Sequence, residues 1–583
     1  MHILTIVRRL GASIAITGAL AAVASPQALA ASPSPNAYGP GCDPALPVVA
    51  HHAGGAPAAT ADKAVACAVE TGKPTSESTI AVGNDGTVLY SPAQTENSLA
   101  RSSDEGASWS LTQPADAQQT ALWNTVDPQI TVDPRTGRAF WIHATGQLRT
   151  APILVSGSPL PWELTTAFAY ASGFQVYGSD DAQHWRTADY SSEPMGDWEK
   201  VAVGPPAAGA PQPHGYPDVV YACANSPFEV SGPGRLCYRS LDGGATFERA
   251  GYVFPSASSP VASCPALATN TEVVGPDGAL YQPVSCDKGA FVAVSHDEGV
   301  TYSWERVPNA PASDGLSGAL QLSMDGAGDL FASWLAGDTI SLAVSRDGAK
   351  TWSAPRVISG PGLHAILFAA PAAGNRGQFG VAYYASTDAK AASLTAYVSE
   401  VPDALAANPV IYTAALNDPA HPIFHDYAFD ATPRADFVGA AFDRGGTLWA
   451  GMVKQLAAPD ADNRVATTGY VGRLLLVGAG GAAGPGGATL RASCAASRRL
   501  VFLLGRVPGG RVVRAVAYIN GRRVAVRRGH SLRRLAFDRP RGRRLVVRIV
   551  TTNNKGGRVI TVRTYRGCTR TPLKTRHVRH RRT

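Results

Sequence analysis

Short apolar runs separated by tight polar turns recur along most of the chain. The clearest pairs of runs flank the dipeptides Asp85-Gly86, Asp277-Gly278 and Asp325-Gly326. An Asp-Gly dipeptide between two apolar runs is a strong signal for an antiparallel hairpin. The chain contains 60 Gly and 43 Pro, which suits a fold made of many short strands and turns. The pattern therefore predicts an all-β protein.

An eight-residue motif, Ser-x-Asp-x-Gly-x-Thr-Trp, recurs after several of these hairpins. Its copies begin at residues 102, 178, 240, 295 and 345, and the copy at 178 is degenerate. Each copy marks a unit of the length of a four-stranded sheet, which cannot bury its apolar face alone. The repeat predicts a six-bladed β-propeller, with a seventh blade, or a last strand pair that closes the ring with N-terminal residues, as alternatives. A small β-sandwich is predicted to follow it.

The motif resembles the Asp-box, also called the bacterial neuraminidase repeat, of sialidases and of many non-enzymatic propellers. The resemblance covers roughly residues 75–455 and implies a propeller. In that family the boxes lie away from the catalytic face and are structural. The resemblance thus implies a turn-stabilising role for five carboxylates: Asp104, Asp180, Asp242, Asp297 and Asp347.

Membership among the sialidases would imply a tyrosine nucleophile, an acid/base aspartate and three arginines that clamp a carboxylate. This chain departs from that pattern, because the aromatic-Arg-Ile-Pro motif before the first box is missing. Only Lys63 and Lys73 are basic between Lys63 and Glu96, so the first clamp arginine has no candidate. The remaining weak catalytic candidates are Tyr427, Asp426, Arg434, Glu77 and Asp127.

Acidic residues recur where inner strands are predicted to start. They are Glu77, Asp127, Asp197 or Glu199, and Asp436, with Glu272 inside a predicted strand. Such residues would either ring one mouth of a central channel, with a focused negative potential, or cap strand ends in solvent. We expect no cofactor and predict no metal site, with Ca²⁺ bound to such a ring as the alternative.

The N-terminus reads as an export signal. Arg8 and Arg9 precede an apolar stretch, and small residues follow up to Ala30, where we expect cleavage. The eight cysteines fit an oxidising compartment. They predict disulfides between sequential partners: Cys42 and Cys67, Cys223 and Cys237, Cys264 and Cys286, and Cys494 and Cys568.

Charge is distributed very unevenly. Residues 491–583 contain 27 Lys and Arg and one acid, Asp538, whereas the rest of the chain holds 25 bases and 43 acids. The basic segment alternates Arg with aliphatic residues, which indicates a cationic sheet face or a merely solubilising surface. Only Tyr518 and Tyr565 interleave its arginines, so nucleic-acid binding is disfavoured.

These observations predict a definite organisation and function. The predicted segments are a signal peptide (1–30), an N-terminal segment with a disulfide (31–74), the propeller (75–477), a Gly/Ala linker (478–488), a basic immunoglobulin-like sandwich (489–569) and a disordered basic tail (570–583). We expect a secreted or cell-surface monomer without a transmembrane segment after cleavage. The predicted function is non-catalytic binding of glycans or anionic cell-envelope polymers, and the alternative is a divergent exo-sialidase-like glycoside hydrolase.

Overall fold

The computed structural model describes most of the chain after residue 37. The described residues are 38–58, 63–91, 98–114, 128–147, 154–155, 158–159, 170–189, 197–226, 234–254, 271–286, 288–312, 320–425, 438–458, 465–477, 499–504, 510–519, 522–538, 544–566 and 574–580. By its internal contacts the chain divides into Met1–Tyr38 and Gly39–Thr583, and every strand among the described residues lies in the second unit. The described residues of that unit form β-strands and turns, with no α-helix among them.

Four antiparallel sheets follow three N-terminal strands. The N-terminal strands are β1 (Cys42–Asp43), β2 (Val48–His51) and β3 (Lys63–Glu70). Sheet 1 contains β4 (Ile80–Val82), β5 (Val88–Tyr90), β6 (Leu99–Ser102) and β7 (Ser110–Thr112). Sheet 2 contains β8 (Gln129–Val132), β9 (Ala139–Gln147), β12 (Tyr170–Ser179) and β13 (Arg186–Thr187), with a hairpin of β10 (Leu154–Val155) and β11 (Ser158–Pro159) between β9 and β12. Sheet 3 contains β14 (Asp197–Gly204), β15 (Val219–Ser226), β16 (Gly234–Ser240) and β17 (Glu248–Phe254). Sheet 4 contains β18 (Val273–Val274), β19 (Leu280–Cys286), β20 (Gly289–Ser295) and β21 (Ser303–Arg306).

Three further sheets complete this series. Sheet 5 contains β22 (Gln321–Met324), β23 (Leu330–Ala336), β24 (Thr339–Ser345) and β25 (Arg356–Val357). Sheet 6 contains β26 (His364–Ala373), β27 (Phe379–Ser386), β28 (Ser393–Val401) and β29 (Ile411–Ala415), with β30 (Phe424–His425) paired to β28. Sheet 7 contains β31 (Gly439–Phe442), β32 (Leu448–Gln455) and β33 (Thr467–Val477).

The N-terminal strands complete the last two sheets. Strand β2 pairs with β29 of sheet 6, and β3 pairs with β33 of sheet 7 along its whole length. Strand β1 then pairs with β3, and Cys42 lies opposite Cys67, with which it forms a disulfide. The propeller therefore draws strands from the segment 31–74 and is not confined to the predicted range 75–477.

The first strands of the seven sheets form a closed ring. Strands β4, β8, β14, β18, β22, β26 and β31 contact one another in that order, and β31 contacts β4. Seven clusters of buried apolar side chains lie between successive sheets, and the last joins sheet 7 to sheet 1 through residues such as Trp449 and Ile80. Each sheet thus buries both of its faces against neighbours, and the fold is an all-β propeller, as predicted.

The C-terminal part of the chain forms two further sheets. The smaller pairs β34 (Arg499–Leu503) with β37 (Arg534–Asp538). The larger has the order β36 (Arg522–Arg528), β35 (Val512–Ile519), β38 (Arg544–Asn553), β39 (Arg558–Arg566) and β40 (Lys574–His580). Both sheets contribute to one core, in which Phe502 and Leu535 pack against Ala517 and Val547. The prediction of a disordered tail is wrong for residues 574–580, because they pair with β39.

Two of the four predicted disulfides are present among the described residues. They are Cys42–Cys67 and Cys223–Cys237, and the second joins directly opposed residues of β15 and β16. Cys264, Cys494 and Cys568 lie outside the described residues, and so does the side chain of Cys286. In the described part of the chain no helix is long and apolar enough to cross a membrane.

Candidate functional site

The repeated motif and the starts of the inner strands lie at opposite ends of the sheets. In an antiparallel sheet the first and third strands run in the same direction. The motif follows the third strand of sheets 1 to 5, so its turns lie at the end where the inner strands finish. Any ligand site at the inner-strand starts is therefore remote from the motif carboxylates.

In the four regular copies the motif carboxylate holds its own turn together. In the third copy Asp242 Oδ1 accepts hydrogen bonds from the backbone N–H groups of Ala245 and Thr246 and from Ser240 Oγ, and Oδ2 accepts one from Thr246 Oγ1 at 2.7 Å. Equivalent bonds reach Asp104, Asp297 and Asp347. Burial acts to raise the pKa of Asp242, but these donors outweigh it and lower the pKa.

The motif aromatics occupy the gaps between sheets. Trp109, Phe247, Tyr302 and Trp352 each pack against the apolar cluster that joins their own sheet to the preceding one, and Trp185 belongs to the cluster between sheets 1 and 2. The motif residues therefore account for turns and inter-sheet packing.

The degenerate copy places a different aspartate in the motif position. Asp181 accepts hydrogen bonds from the N–H groups of Gln183 and His184 and from Ser179 Oγ, and its second oxygen lies 2.7 Å from His184 Nδ1. Asp180 is exposed and pairs instead with Arg138 at 2.7 Å. The prediction of Asp180 is wrong, because this copy is one residue shorter and His184 takes the place of the motif Thr.

We expect Asp181→Ala to lower the free energy of unfolding by about 1–2 kcal/mol, because it leaves two turn N–H groups without their acceptor. Asp180→Ala is the matched control and should change it by less than about 1 kcal/mol, since it removes an exposed ion pair. Urea unfolding of both variants measures the difference. Equal losses would contradict the assignment.

A central cavity of about 880 Å³ is lined by residues of all seven inner strands. Most of the residues that line it are apolar, with aliphatic residues from six of the seven inner strands and the aromatic residues Trp198, Trp334, Phe368 and Phe442. Lys200 is the one charged residue among the described residues that line it. A mostly apolar concavity with a few polar groups is the usual form of a ligand site.

The predicted acidic ring does not line this cavity. Glu77, Glu199 and Glu272 are buried, but none of them is part of the described wall. Asp127 and Asp436 lie outside the described residues. Among the described residues no group of three His, Cys, Asp or Glu side chains is placed to hold a metal ion. The described wall therefore gives the negative channel no support.

Glu272 instead forms a buried ion pair between sheets 3 and 4. Arg235 Nη2 donates to Glu272 Oε2 at 3.0 Å, and both side chains are fully buried. Arg235 also donates to Gln282 Oε1 at 3.1 Å and to the carbonyl of Trp198 at 3.2 Å. Burial raises the pKa of Glu272 against the pull of Arg235. This arginine is engaged structurally and is unavailable as a carboxylate clamp.

Trp198 and Lys200 stand at the start of the inner strand of sheet 3. Strand β14 carries a β-bulge there, since Asp197 pairs with Asn225 and Lys200 with Cys223. Trp198 has φ = 56°, a backbone conformation that costs free energy for a bulky residue. Such a conformation persists only where the surrounding structure enforces it. The Lys200 ammonium lies 5.2 Å from the centre of the Trp198 ring and donates to the carbonyl of Glu199. Both residues line the cavity and are largely buried, with 6% of Trp198 and 5% of Lys200 exposed.

The inner strand of sheet 6 contains two β-bulges and two residues with positive φ. Strand β26 has bulges between His364 and Leu367 and between Leu367 and Ala370, with φ = 52° at Ala365 and 54° at Phe368. The Phe368 ring packs edge-on against Phe424 at 5.9 Å. Phe368 and Trp198 thus line one cavity in the same strained conformation, and bulges of this kind re-aim side chains.

We expect Ala365→Gly to stabilise the protein by up to about 1 kcal/mol, because glycine adopts positive φ without the steric cost of a Cβ. Ala370→Gly, on the same strand outside the positive-φ positions, is the matched control and should destabilise by about 0.5–1 kcal/mol. Thermal unfolding of both variants checks this prediction. A loss of stability in both would mean that Ala365 is not strained.

The other catalytic candidates lie outside the described residues. They are Asp127, Asp426, Tyr427 and Arg434. Their neighbour His425 is described, and its Nδ1 lies 2.5 Å from Ser393 Oγ while its backbone N–H donates to Gln455.

Four residues of the cavity wall and its support were not predicted from the sequence: Trp198, Lys200, Arg235 and Phe368. The one local signal was the lysine that follows Trp198 and Glu199 at the start of a strand whose later residues, 201–203, are apolar. The bulges left no signal, because neither Trp198 nor Phe368 is a glycine. The engagement of Arg235 depends on Glu272 and Gln282, which belong to the next sheet.

The fold and the cavity define a β-propeller with a largely apolar central channel. No protein-family model and no curated protein matches the chain. Among solved structures, a protein of unknown function from Dyadobacter fermentans is similar over 75% of this chain and 100% of its own, at 12% identity and a TM-score of 0.36. The NanB sialidase from Streptococcus pneumoniae is similar over 69% of this chain and 70% of its own, at 12% identity and a TM-score of 0.35. A Trypanosoma rangeli sialidase is similar over 85% and 88%, at 10% identity and a TM-score of 0.32. These similarities concern the fold alone.

Proposed function

We propose that the chain is an exported propeller that binds an acidic glycan, free or within a cell-envelope polymer, without cleaving it. The proposed binding site is the part of the cavity lined by Trp198, Lys200 and Phe368. The observation that carries the proposal is that two positive-φ aromatic residues and one cation line the same cavity. Sugar rings present apolar C–H faces that pack on aromatic rings, and a lysine attracts a carboxylate, sulfate or phosphate.

The engagement of the buried charges supports binding over hydrolysis. Arg235 and Glu272 neutralise each other, and Arg235 also holds the Trp198 backbone through its carbonyl. These groups therefore position the aromatic ring and do not face a substrate. The two disulfides among the described residues are those expected of an exported protein.

A glycan array with neutral and acidic members tests this function, together with a fluorogenic sialoside assay on the same preparation. We expect retention of acidic glycans and no release of fluorophore. Turnover of the sialoside that survives purification to homogeneity would contradict the non-catalytic assignment and would favour the exo-sialidase-like alternative. Retention of neutral glycans alone would contradict the role of Lys200.

A further inference from the structure

The larger C-terminal sheet has one face on the core and one face directed outward. Ala515, Ala517 and Ile519 of β35 belong to the core, so the alternate residues Arg514, Val516 and Tyr518 lie on the other face. Residues directly opposite in an antiparallel ladder share a face. The residues of β36, β38 and β39 that lie opposite Arg514, Val516 and Tyr518, directly or through the next strand, therefore belong to the outward face.

An apolar row crosses this outward face. Val516 lies opposite Val526 on one side and Val550 on the other, and Val550 lies opposite Ile560. Val526 is 46% exposed, Val550 and Ile560 are half-buried, and Val516 is buried at 4% exposed. The four β-branched residues on four adjacent strands thus form a stripe that reaches solvent at Val526 and, in part, at Val550 and Ile560.

Arginines flank the stripe on both sides. On one side of the stripe Arg514 lies opposite Arg528 on β36 and opposite Thr552 on β38. Thr552 in turn lies opposite Arg558 on β39. On the other side Tyr518 lies opposite Arg523 and Arg548, and the Arg548 guanidinium lies 4.5 Å from the Tyr518 ring centre. All five of these arginines are exposed. We call these two arginine rows and the stripe between them the arginine-rimmed face.

This face has few carboxylates of its own to neutralise it. Residues 491–583 contain one acid, Asp538, for 27 Lys and Arg. Within residues 491–583 almost no carboxylate is therefore available to neutralise the five arginines. A linear polyanion would be bound mainly through its charges and would make little use of the aliphatic stripe. A bilayer surface satisfies both features, because anionic headgroups attract the arginines while apolar side chains enter the headgroup boundary.

We propose that the arginine-rimmed face binds the surface of an anionic phospholipid bilayer. The proposal is independent of the glycan site, because it uses other residues in another part of the chain. The arginines supply a salt-dependent attraction that fades with ionic strength. The stripe supplies a smaller contribution that does not depend on salt.

The test is co-sedimentation of the chain from residue 31 onward with vesicles of equal parts phosphatidylglycerol and phosphatidylcholine, against vesicles of phosphatidylcholine alone. We expect binding to the anionic vesicles only. Arg514→Gln/Arg528→Gln should weaken it at least tenfold, and Val526→Ser about threefold or more. The matched controls are Arg186→Gln/Arg444→Gln, which removes the same charge from exposed positions on the propeller, and Val300→Ser, which alters an equally exposed valine (48%).

Two results would overturn the proposal. Equal binding to both vesicle types would show that anionic lipid is not recognised. The second is a loss of vesicle binding in the arginine variant while Val526→Ser and Val300→Ser bind vesicles equally well. That result would show that the face binds by charge alone and suits a soluble polyanion. Circular dichroism and melting temperatures equal to those of the wild type confirm that each variant is folded.

Discussion

Arg235→Met will lower the free energy of unfolding by about 3–5 kcal/mol, because it leaves the Glu272 carboxylate buried without its cation. Arg235 and Glu272 are both fully buried, and the same guanidinium also serves Gln282 and the Trp198 carbonyl. Burial already raises the pKa of Glu272, and Arg235 is the main group that opposes this rise. Without the arginine that opposition is lost. Lys454→Met is the control, since its ion pair with Glu70 is partly exposed, and it should cost less than about 1 kcal/mol.

The double variant Arg235→Met/Glu272→Gln separates a lost ion pair from a stranded charge. It should recover most of the loss, because removing both members of a buried pair is far less costly than removing one. Urea unfolding followed by tryptophan fluorescence measures all four proteins. If the double variant is as unstable as Arg235→Met, the loss comes from packing and the stranded charge is not its cause.

Glu400→Gln will become more stable than the wild type as the pH rises. Glu400 is wholly buried on β28, and its Oε1 accepts a hydrogen bond from Gln378 Nε2 at 2.7 Å. Burial raises its pKa to about 8, against the effect of that bond and with some help from the charge of Asp443. Gln378 Nε2 also donates to the carbonyl of Gly446, so this contact joins sheets 6 and 7.

The sign of this effect is set by proton linkage. A carboxyl with a raised folded-state pKa contributes stability that is fully present below its unfolded pKa and is lost as the pH rises towards about 8. The difference between variant and wild type should grow by on the order of 3–5 kcal/mol between pH 4.5 and pH 8. Glu248→Gln, whose carboxylate is largely exposed, is the control. Parallel stability profiles for Glu400→Gln and the wild type would contradict a neutral buried Glu400.

The sequence predicted the local architecture of the propeller well, because its signals are local. Asp-Gly turns mark the hairpins of sheets 1, 4 and 5, and the repeated motif marks the turn after the third strand. The closure of the ring was harder to predict. Strands β2 and β3 carry no turn signal for their partners, which lie more than 350 residues away in β29 and β33.

The candidate site could not be predicted from sequence for a different reason. Its features arise where strands from different sheets meet, as in the contact of Arg235 with Glu272 and Gln282. The bulges that turn Trp198 and Phe368 depend on the register with the adjacent strand, which single-sequence patterns do not encode. The acidic residues at strand starts were visible in the sequence, but their burial was not.

The central claim is that the central cavity binds an acidic glycan through Lys200 and the aromatic residues Trp198 and Phe368. Isothermal titration of an acidic glycan retained on the array into the wild type, Lys200→Met and Lys350→Met tests it most directly, since Lys350 is an exposed lysine on a motif turn. We predict at least tenfold weaker binding for Lys200→Met and unchanged binding for Lys350→Met. Equal affinity in all three proteins would contradict the claim.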